Sequence, residues 1–129
     1  MPVPVSIQLT AEAEGDLAAI YNHRLKQRGA DGPDGADALL DTLYGGIESL
    51  AEFPLRGPIT PELDALGIAQ WRHLSIWPYR IIYTLEGDRL TIAVVADSRR
   101  DFASLLERRL LQRDVSVFGG GQRLGRLSR

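Results

Sequence analysis

The sequence predicts an α+β fold: an N-terminal strand, an antiparallel helical hairpin, a three-stranded antiparallel meander that joins the first strand in one sheet, and a C-terminal helix. Three observations predict it. Apolar residues alternate over residues 3–9, two helical stripes fill residues 10–51, and strand-like runs flank the dipeptide Gly87-Asp88. At 129 residues the chain is long enough to bury the core of one domain without disulfides or structural metals.

The first strand is predicted over residues 3–9, where valine, isoleucine and leucine share one face and two prolines limit pairing at the start. Thr10 occupies the N-cap position of the first helix. Acidic residues follow it in the first turns, where the helix dipole favours negative charge. The helical stripe continues to Gly29, which is predicted to end this helix.

The second helix follows a turn-rich stretch, residues 29–35, that is predicted to be an exposed connection. Apolar residues recur at helical spacing over residues 36–51, and Pro54 ends the helix and opens a proline-rich loop toward the sheet. Gly45 and Gly46 lie inside the helix, at a cost of about 1 kcal/mol each relative to alanine. A close crossing with the first helix and a kink are the two explanations considered.

The meander has three predicted strands, over residues 70–77, 79–86 and 89–97. The dipeptide Gly87-Asp88 is a typical two-residue hairpin turn. Its register sets Arg80 opposite Val95, and the tighter turn near Trp77-Pro78 brings Arg72 near Tyr83. The tryptophans and tyrosines of these strands follow the alternation of the sheet, so they are predicted to be core or rim residues rather than platforms that stack on bases.

The last helix is predicted from Ser98-Arg99-Arg100-Asp101, which has the form of a capping box with Ser98 at the N-cap. The helix is expected to end near Arg113. Residues 1–113 would then form the folded domain, and residues 114–129, rich in glycine and arginine, a flexible basic tail.

A cluster of arginines is predicted where the sheet meets this helix, because the hairpin register brings Arg80 to the same end as Arg99 and Arg100. Two interpretations are open. A helix start is a natural anion site, so the cluster would bind phosphate or contact RNA. In the structural interpretation, Asp97 and Asp101 neutralise the arginines and lock the helix onto the sheet.

The net charge of −2 conceals two opposite halves. Residues 1–64 contain eleven acidic and four basic residues, a net charge of −7, and residues 65–129 contain six acidic and eleven basic residues, a net charge of +5. This asymmetry favours a polyanionic or acidic partner for the C-terminal half. Internal pairing between the halves, or a simple bias toward arginine, would give the same pattern.

Several classes of site are excluded. The chain has no cysteine, which removes disulfides, thiolate nucleophiles and cysteine-ligated zinc. His23 and His73 lie in different elements without a third ligand, and Ser98 has no histidine near it, so neither a metal site nor a Ser-His-acid triad is expected. No phosphate-cradling glycine motif, leader sequence or membrane span is found. We expect no cofactor, no membrane partner and a cytoplasmic location.

The order of elements and four short motifs resemble the RelE/ParE toxin superfamily of bacterial type II toxin–antitoxin systems. The resemblance covers residues 3–113. The motifs are YRIIY (79–83), EGDR (86–89), SRRD (98–101) and the L-x-x-x-P-x-x-G spacing of Leu50, Pro54 and Gly57. Together, in this order, they are fairly specific.

The resemblance implies one of two activities. RelE-like members are ribosome-dependent mRNA endonucleases that work without metal; their arginine positions match Arg80 and Arg100, but their usual tyrosine falls on Leu106, and Arg72 alone remains of a basic pair. ParE-like members inhibit DNA gyrase by binding, and the SRRD motif resembles theirs, although many members have histidine where this chain has Asp97. We favour the ParE-like branch, with the mRNA endonuclease as the alternative and a degenerate interaction module as a third hypothesis.

The resemblance also implies partners. A cognate antitoxin would mask the sheet, the last helix or the helical hairpin, as in plasmid-stabilisation systems, and either a homodimer or a hetero-oligomer with the antitoxin is compatible with the sequence. The target would be gyrase, or in the alternative the ribosome and its mRNA. The residues expected to bind a partner or anion are Arg72, Arg80, Arg99, Arg100 and Asp101, of which the first, second and fourth would be catalytic in the endonuclease.

Overall fold

A computed structural model describes residues 5–111 of the protein and has the predicted α+β architecture. The strands are β1 Ser6–Leu9, β2 Trp71–Ile76, β3 Tyr79–Glu86 and β4 Arg89–Asp97. The helices are α1 Ala11–Arg28, α2 Ala36–Ser49, α3 Pro61–Asp64 and α4 Phe102–Leu106, which continues as a π-helical turn, Glu107–Leu111. One sheet has the order β1-β4-β3-β2, with β1 parallel to β4 and the other pairs antiparallel.

The helical hairpin forms as predicted. The Thr10 hydroxyl accepts a hydrogen bond from the Ala13 amide at 3.1 Å and caps α1, and Gly29, with φ of 78°, ends it. Because a left-handed φ is unstrained only for glycine, the chain leaves the helix there without cost. The Tyr21 hydroxyl then donates to Asp37 across the hairpin at 2.7 Å.

The structure explains Gly46 by neither of the two predicted reasons, a close crossing with α1 and a kink in α2. A β-carbon on Gly46 would lie 2.2 Å from Ile76 Cδ1, so the close approach is to β2 and not to α1. A β-carbon on Gly45 would meet no atom within 4 Å. Gly46 therefore lets the hairpin lie close to the sheet, whereas Gly45 has no packing role.

The core has two parts, one on each face of the sheet. The face under the helical hairpin is built from α1, α2 and the strands, and its fully buried members include Leu17, Leu43, Leu50, Ile81 and Tyr83. The other face lies under α3 and α4, and includes Leu63, Ile82, Val94, Phe102 and Leu106. Burial on both faces fits the apolar runs of β3 and β4.

The register of the central hairpin departs from the prediction at a β-bulge. Between the Gly87-Asp88 turn and the pair Tyr83–Ile92, the predicted register of β3 and β4 is confirmed. The predicted proximity of Arg72 to Tyr83 is confirmed as well, since the two residues pair between β2 and β3. Beyond it Ile82 pairs with Val94. The extra residue between these pairs shifts the register by one, so the predicted pairing of Arg80 with Val95 is wrong and Arg80 lies opposite Ala96.

An ion pair between distant segments holds this bulge. Arg109, on the π-helical turn, forms two hydrogen bonds with the Asp16 carboxylate at 3.0 and 3.1 Å and donates to the Ala93 carbonyl at 2.9 Å. The same carboxylate accepts the Val95 amide at 2.9 Å. The backbone groups of the bulge are thus paired by side chains from α1 and from the end of the chain.

The loop after α2 is fixed by a buried tyrosine and contains the helix α3, which was not predicted. The Tyr83 hydroxyl donates to the Pro54 carbonyl at 2.9 Å and accepts from the Gly57 amide at 3.1 Å. Proline at the first position of α3 supplies a preorganised φ and lacks the amide hydrogen that a helix start leaves unpaired. The proline-rich stretch that includes Pro61 predicts a loop, where the structure has the first turn of α3.

The capping box at the start of α4 is wrong in its details. The Ser98 amide donates to the Pro78 carbonyl at 2.6 Å, which keeps this serine in the turn after β4. Asp101 is the N-cap instead, since its carboxylate accepts from the Ser104 amide at 3.2 Å and the Ser104 hydroxyl at 2.8 Å. The first residues of the predicted N-terminal strand, the predicted end near Arg113 and the tail 114–129 lie outside the described residues. None of the helices within residues 5–111 is long and apolar enough to cross a membrane.

Gly57→Ala tests the contact between the loop and the sheet. A β-carbon here would lie 2.1 Å from the His73 carbonyl oxygen and 2.9 Å from the Tyr83 hydroxyl, both held by other contacts. We expect the free energy of unfolding to fall by about 3 kcal/mol in urea denaturation. Gly45→Ala is the matched control and should raise it by about 0.5–1 kcal/mol, because the position is helical and open. Equal stability of the two variants would contradict this account of Gly57.

Candidate functional site

Arg80 is the centre of a compact polar cluster on the sheet face covered by α3 and α4. Its guanidinium forms two hydrogen bonds with the Glu62 carboxylate at 2.9 and 3.0 Å, and lies 4.3 Å from the centroid of the Phe102 ring. A third contact joins it to His73 Nδ1 at 3.3 Å. The Arg80 side chain is only 11% exposed, so one carboxylate, one imidazole and one aromatic ring enclose it.

The electrostatics of this cluster follow from that enclosure. The hydrogen bonds from Arg80 lower the pKa of Glu62, so its carboxylate stays ionised at neutral pH. Burial, with a smaller contribution from Arg80, lowers the pKa of His73. Since arginine only donates, the contact with Nδ1 requires a neutral imidazole that carries its proton on Nε2.

Arg72 is bound to the loop before α3. Its Nη1 donates to the Gly57 carbonyl at 2.8 Å and lies 3.5 Å from the Leu55 carbonyl. Arg72 pairs with Tyr83, close to where it was predicted. Its guanidinium binds backbone carbonyl oxygens of the loop.

Arg99 pairs with Asp97 at the exposed end of β4. Its Nε donates to Asp97 Oδ1 at 2.8 Å and its Nη2 to Oδ2 at 2.5 Å. These bonds from Arg99 hold the pKa of Asp97 at about 2. The arginine side chain remains 65% exposed, so the pair fixes its orientation without removing it from solvent.

Arg100 and Asp101 follow in the turn that leads to α4. The Arg100 side chain is exposed and makes no hydrogen bond or ion pair with residues 5–111. Asp101 caps α4, as described above. The Ser98 hydroxyl nearby is buried and has no partner in the described part of the chain.

The predicted arginine cluster is therefore divided. Arg99 has the predicted counter-ion, Asp97, but Arg80 pairs with Glu62 of α3 and Asp101 caps a helix, so the prediction of one convergent cluster is wrong. Glu62 was missed because α3 was interpreted as loop. The tripeptide Thr-Pro-Glu at residues 60–62 is a helix-start signal from which α3 could have been predicted.

Groups able to accept a proton are scarce around Arg80. Leu106, where the resemblance implies a tyrosine, is fully buried in the apolar core. The Tyr83 hydroxyl is bound to the loop, and burial raises its pKa. Within residues 5–111 no three side chains of the histidine, aspartate or glutamate type gather as a metal site would require.

A second surface feature lies on the outer side of the helical hairpin. An open cleft of about 290 Å³ is formed by residues of both helices, and apolar and tyrosine side chains line most of it: Leu17, Tyr21, Leu40 and Tyr44. Glu14 and Asn22 stand at its edge. The cleft is open and mostly apolar, and in this it differs from a closed catalytic pocket.

Glu62→Gln tests the ion pair at this site. We expect the free energy of unfolding at neutral pH to fall by about 1–3 kcal/mol, because a charged hydrogen-bond pair becomes a neutral one beside a buried arginine. The pKa of Glu62 is lowered by folding, so the pair stabilises the protein above the ordinary glutamate pKa and is lost as pH falls through the lowered one. The difference between the two proteins should therefore disappear in acid.

Denaturant titrations of both proteins across the acid range measure this. Glu86→Gln, at an exposed position of β3, is the control and should change little at any pH. A difference for Glu62→Gln that persists at the lowest pH would mean that shape, and not charge, makes the contact.

Comparisons with known proteins agree with this architecture. The sequence matches the family described as ParE toxin of type II toxin-antitoxin system, parDE, over residues 7–102. A comparison with curated proteins gives no match. Among solved structures the chain is similar to a chain of the chromosomal ParDE TA system from P. aeruginosa, with a TM-score of 0.60 and 21% identity over 74% of this chain and 98% of that one.

It is also similar to a chain of the toxin–antitoxin complex RelBE2 from Mycobacterium tuberculosis, with a TM-score of 0.51 and 21% identity over 74% of this chain and 99% of that one. At this identity the two structures support the fold. The family match spans the first strand, the helical hairpin, the meander and the start of α4. The chain therefore belongs to the ParE toxin family of type II toxin–antitoxin systems, within the RelE/ParE superfamily.

Proposed function

We propose that this toxin acts by binding DNA gyrase and inhibiting it, and that a cognate antitoxin neutralises it. The observation that carries the proposal is the enclosure of Arg80. Its guanidinium is bound by Glu62, His73 and Phe102, and is almost inaccessible to a substrate. The match to the ParE family favours the same branch.

Cleavage of RNA requires a group that removes the 2′-hydroxyl proton and a cation that stabilises the charged phosphate. Around Arg80 the first requirement is poorly met. His73 uses Nδ1 as the acceptor for Arg80, and the low pKa of Glu62 makes its carboxylate a weak base. Leu106 has no ionisable group. These features favour action by binding.

The alternative is a RelE-like mRNA endonuclease. In its favour, Arg80 lies 3.3 Å from His73, so an arginine and an imidazole share one face of the sheet, although Arg72 pairs with Tyr83 and belongs to the other face. Opening of the Glu62 pair would then be required before the guanidinium of Arg80 reached a phosphate.

The antitoxin partner is supported by the family match and by the two similar structures, which come from the ParDE TA system and the toxin–antitoxin complex RelBE2. On this chain, the cleft of the helical hairpin and the exposed apolar side chains Phe53 and Leu55 are surfaces that a wrapping partner would cover. The acidic N-terminal and basic C-terminal halves offer it charges of both signs.

Expression of the full chain without its antitoxin distinguishes the two activities. The proposal expects loss of plasmid supercoiling in the cells, with ribosome-bound mRNA intact, and inhibition of purified gyrase by the purified protein. Cleavage of mRNA at defined codon positions, with normal supercoiling, would reject the gyrase proposal and favour the endonuclease.

Arg100→Ala is a sharper test at residue level. The side chain is exposed and makes no ion pair with the described residues, so its removal should abolish toxicity in a growth assay while the melting temperature stays within about 1 °C of the parent. Arg89→Ala, at the opposite end of β4, is the matched control and should remain toxic. Persistent toxicity together with a lower melting temperature would mean that Arg100 is structural.

A further inference from the structure

Two turns lie side by side at the end of the sheet where β3 begins and β4 ends. The Ser98 amide donates to the Pro78 carbonyl at 2.6 Å, and Tyr79 pairs with Asp97 in the sheet. The β2–β3 turn, with Trp77, is thereby held against the turn that contains Arg99 and Arg100. These three residues, Trp77, Arg99 and Arg100, are called the Trp77 patch below.

The indole of the patch is unusual in its exposure. Trp77 is 77% exposed and is the most exposed large apolar side chain within residues 5–111. Of the other aromatic side chains on the strands of the meander, Trp71, Tyr79 and Tyr83 all pack against one of the two apolar clusters. A single exposed apolar side chain is ordinary, so its neighbours decide its meaning.

Those neighbours are cationic and partly fixed. Arg99 keeps its guanidinium in one orientation through two bonds to Asp97, yet remains exposed. Arg100 makes no hydrogen bond or ion pair through its side chain with residues 5–111, although its charge adds to that of Arg99 in lowering the pKa of Asp97. In this turn Asp97 is bound by Arg99 and Asp101 by Ser104, which leaves Arg100 as the charged side chain that no described residue binds.

Tryptophan and arginine are enriched among the side chains that dominate protein interfaces, tryptophan through the large area it buries and arginine through its five N–H donors. We propose that the Trp77 patch is the surface by which the toxin docks on its target protein, with Trp77 in an apolar recess and Arg100 against an acidic loop or helix. This inference rests on the proposed inhibition of gyrase and identifies the residues that would carry it.

An acidic protein surface fits the patch better than a nucleic acid does. The Asp97 carboxylate is part of the surface and would repel a phosphate backbone, which places one negative charge at every nucleotide. A protein surface can instead present a single carboxylate to Arg100 and uncharged groups to Asp97. Trp77, as an exposed aromatic anchor beside the unbound cation of Arg100, is suited to contact with an acidic protein surface.

The test is a gyrase supercoiling assay with the purified full chain and with three variants of it, using gyrase from the organism that carries the gene. Trp77→Ser and Arg100→Glu should each raise the half-inhibitory concentration about tenfold or more. Leu66→Ser is the matched control, because Leu66 is similarly exposed but lies after α3, and it should inhibit like the parent. Circular dichroism and thermal unfolding of each variant confirm that the fold is intact.

Each remaining outcome overturns the inference in a distinguishable way. If the parent chain fails to inhibit gyrase, the proposed function fails and this inference fails with it. If the parent inhibits and both patch variants inhibit equally well, the function stands and the docking surface lies elsewhere. A single-stranded oligonucleotide that quenches the fluorescence of the Trp71→Phe variant, with Trp77 as the reporter, would assign the patch to nucleic acid instead.

If Trp77→Ser unfolds, Trp77→Phe and Arg100→Glu decide the question. Phenylalanine keeps a ring in the recess but loses the indole NH and part of the area, so inhibition between that of the parent and that of Arg100→Glu supports docking. Full inhibition by both variants overturns it.

Discussion

The hydroxyl of Tyr83 is the contact on which the arrangement of the rest depends. It lies in the core of the sheet, accepts the Gly57 amide and donates to the Pro54 carbonyl, so it ties the loop after α2 to β3. The hydroxyl satisfies the buried Gly57 amide and the half-buried Pro54 carbonyl at once, so its loss leaves both backbone groups without this partner. The Leu50, Pro54 and Gly57 spacing has its physical reason in this contact. Leu50 fills the core, while the other two residues supply the backbone partners.

The position of α3 follows from that anchored loop. The chain leaves Gly57, pairs briefly with the edge strand through Ile59 and Arg72, and enters a single helical turn that carries Glu62 to Arg80. A second restraint acts at the other side of the sheet, where Asp16 and Arg109 hold the bulge of β4. Alternation along β3 places Arg80 on the face with Glu62 and Phe102, and the bulge decides that Ala96 rather than Val95 lies opposite it.

The arginines consequently fall into two kinds. Arg72, Arg80 and Arg109 bind carbonyls or carboxylates of the chain itself, and their charge is used in holding loops and helices to the sheet. Arg99 and Arg100 are exposed at the sheet end, next to an exposed indole. A protein that acts by binding needs rigid internal supports and a few accessible anchors, and this division supplies both. The first group is structural, but its partners are Gly57, Glu62 and Asp16 and not the predicted Asp97 and Asp101, whereas a partner site is proposed for the second group.

The sequence by itself determined the order of all elements except α3, the limits of β3 and β4, the cap of α1 at Thr10 and the buried stripe of α2. Each of these depends on residues a few positions apart, through alternation, helical spacing or a two-residue turn. Tertiary structure alone decided the bulge opposite Tyr83, the partner of Arg80 and the reason for Gly46. These depend on contacts between residues far apart in the chain, 18 positions for Glu62 with Arg80 and 93 for Asp16 with Arg109. No local pattern encodes such contacts, because packing of the folded chain selects them from many chemically equivalent carboxylates and arginines.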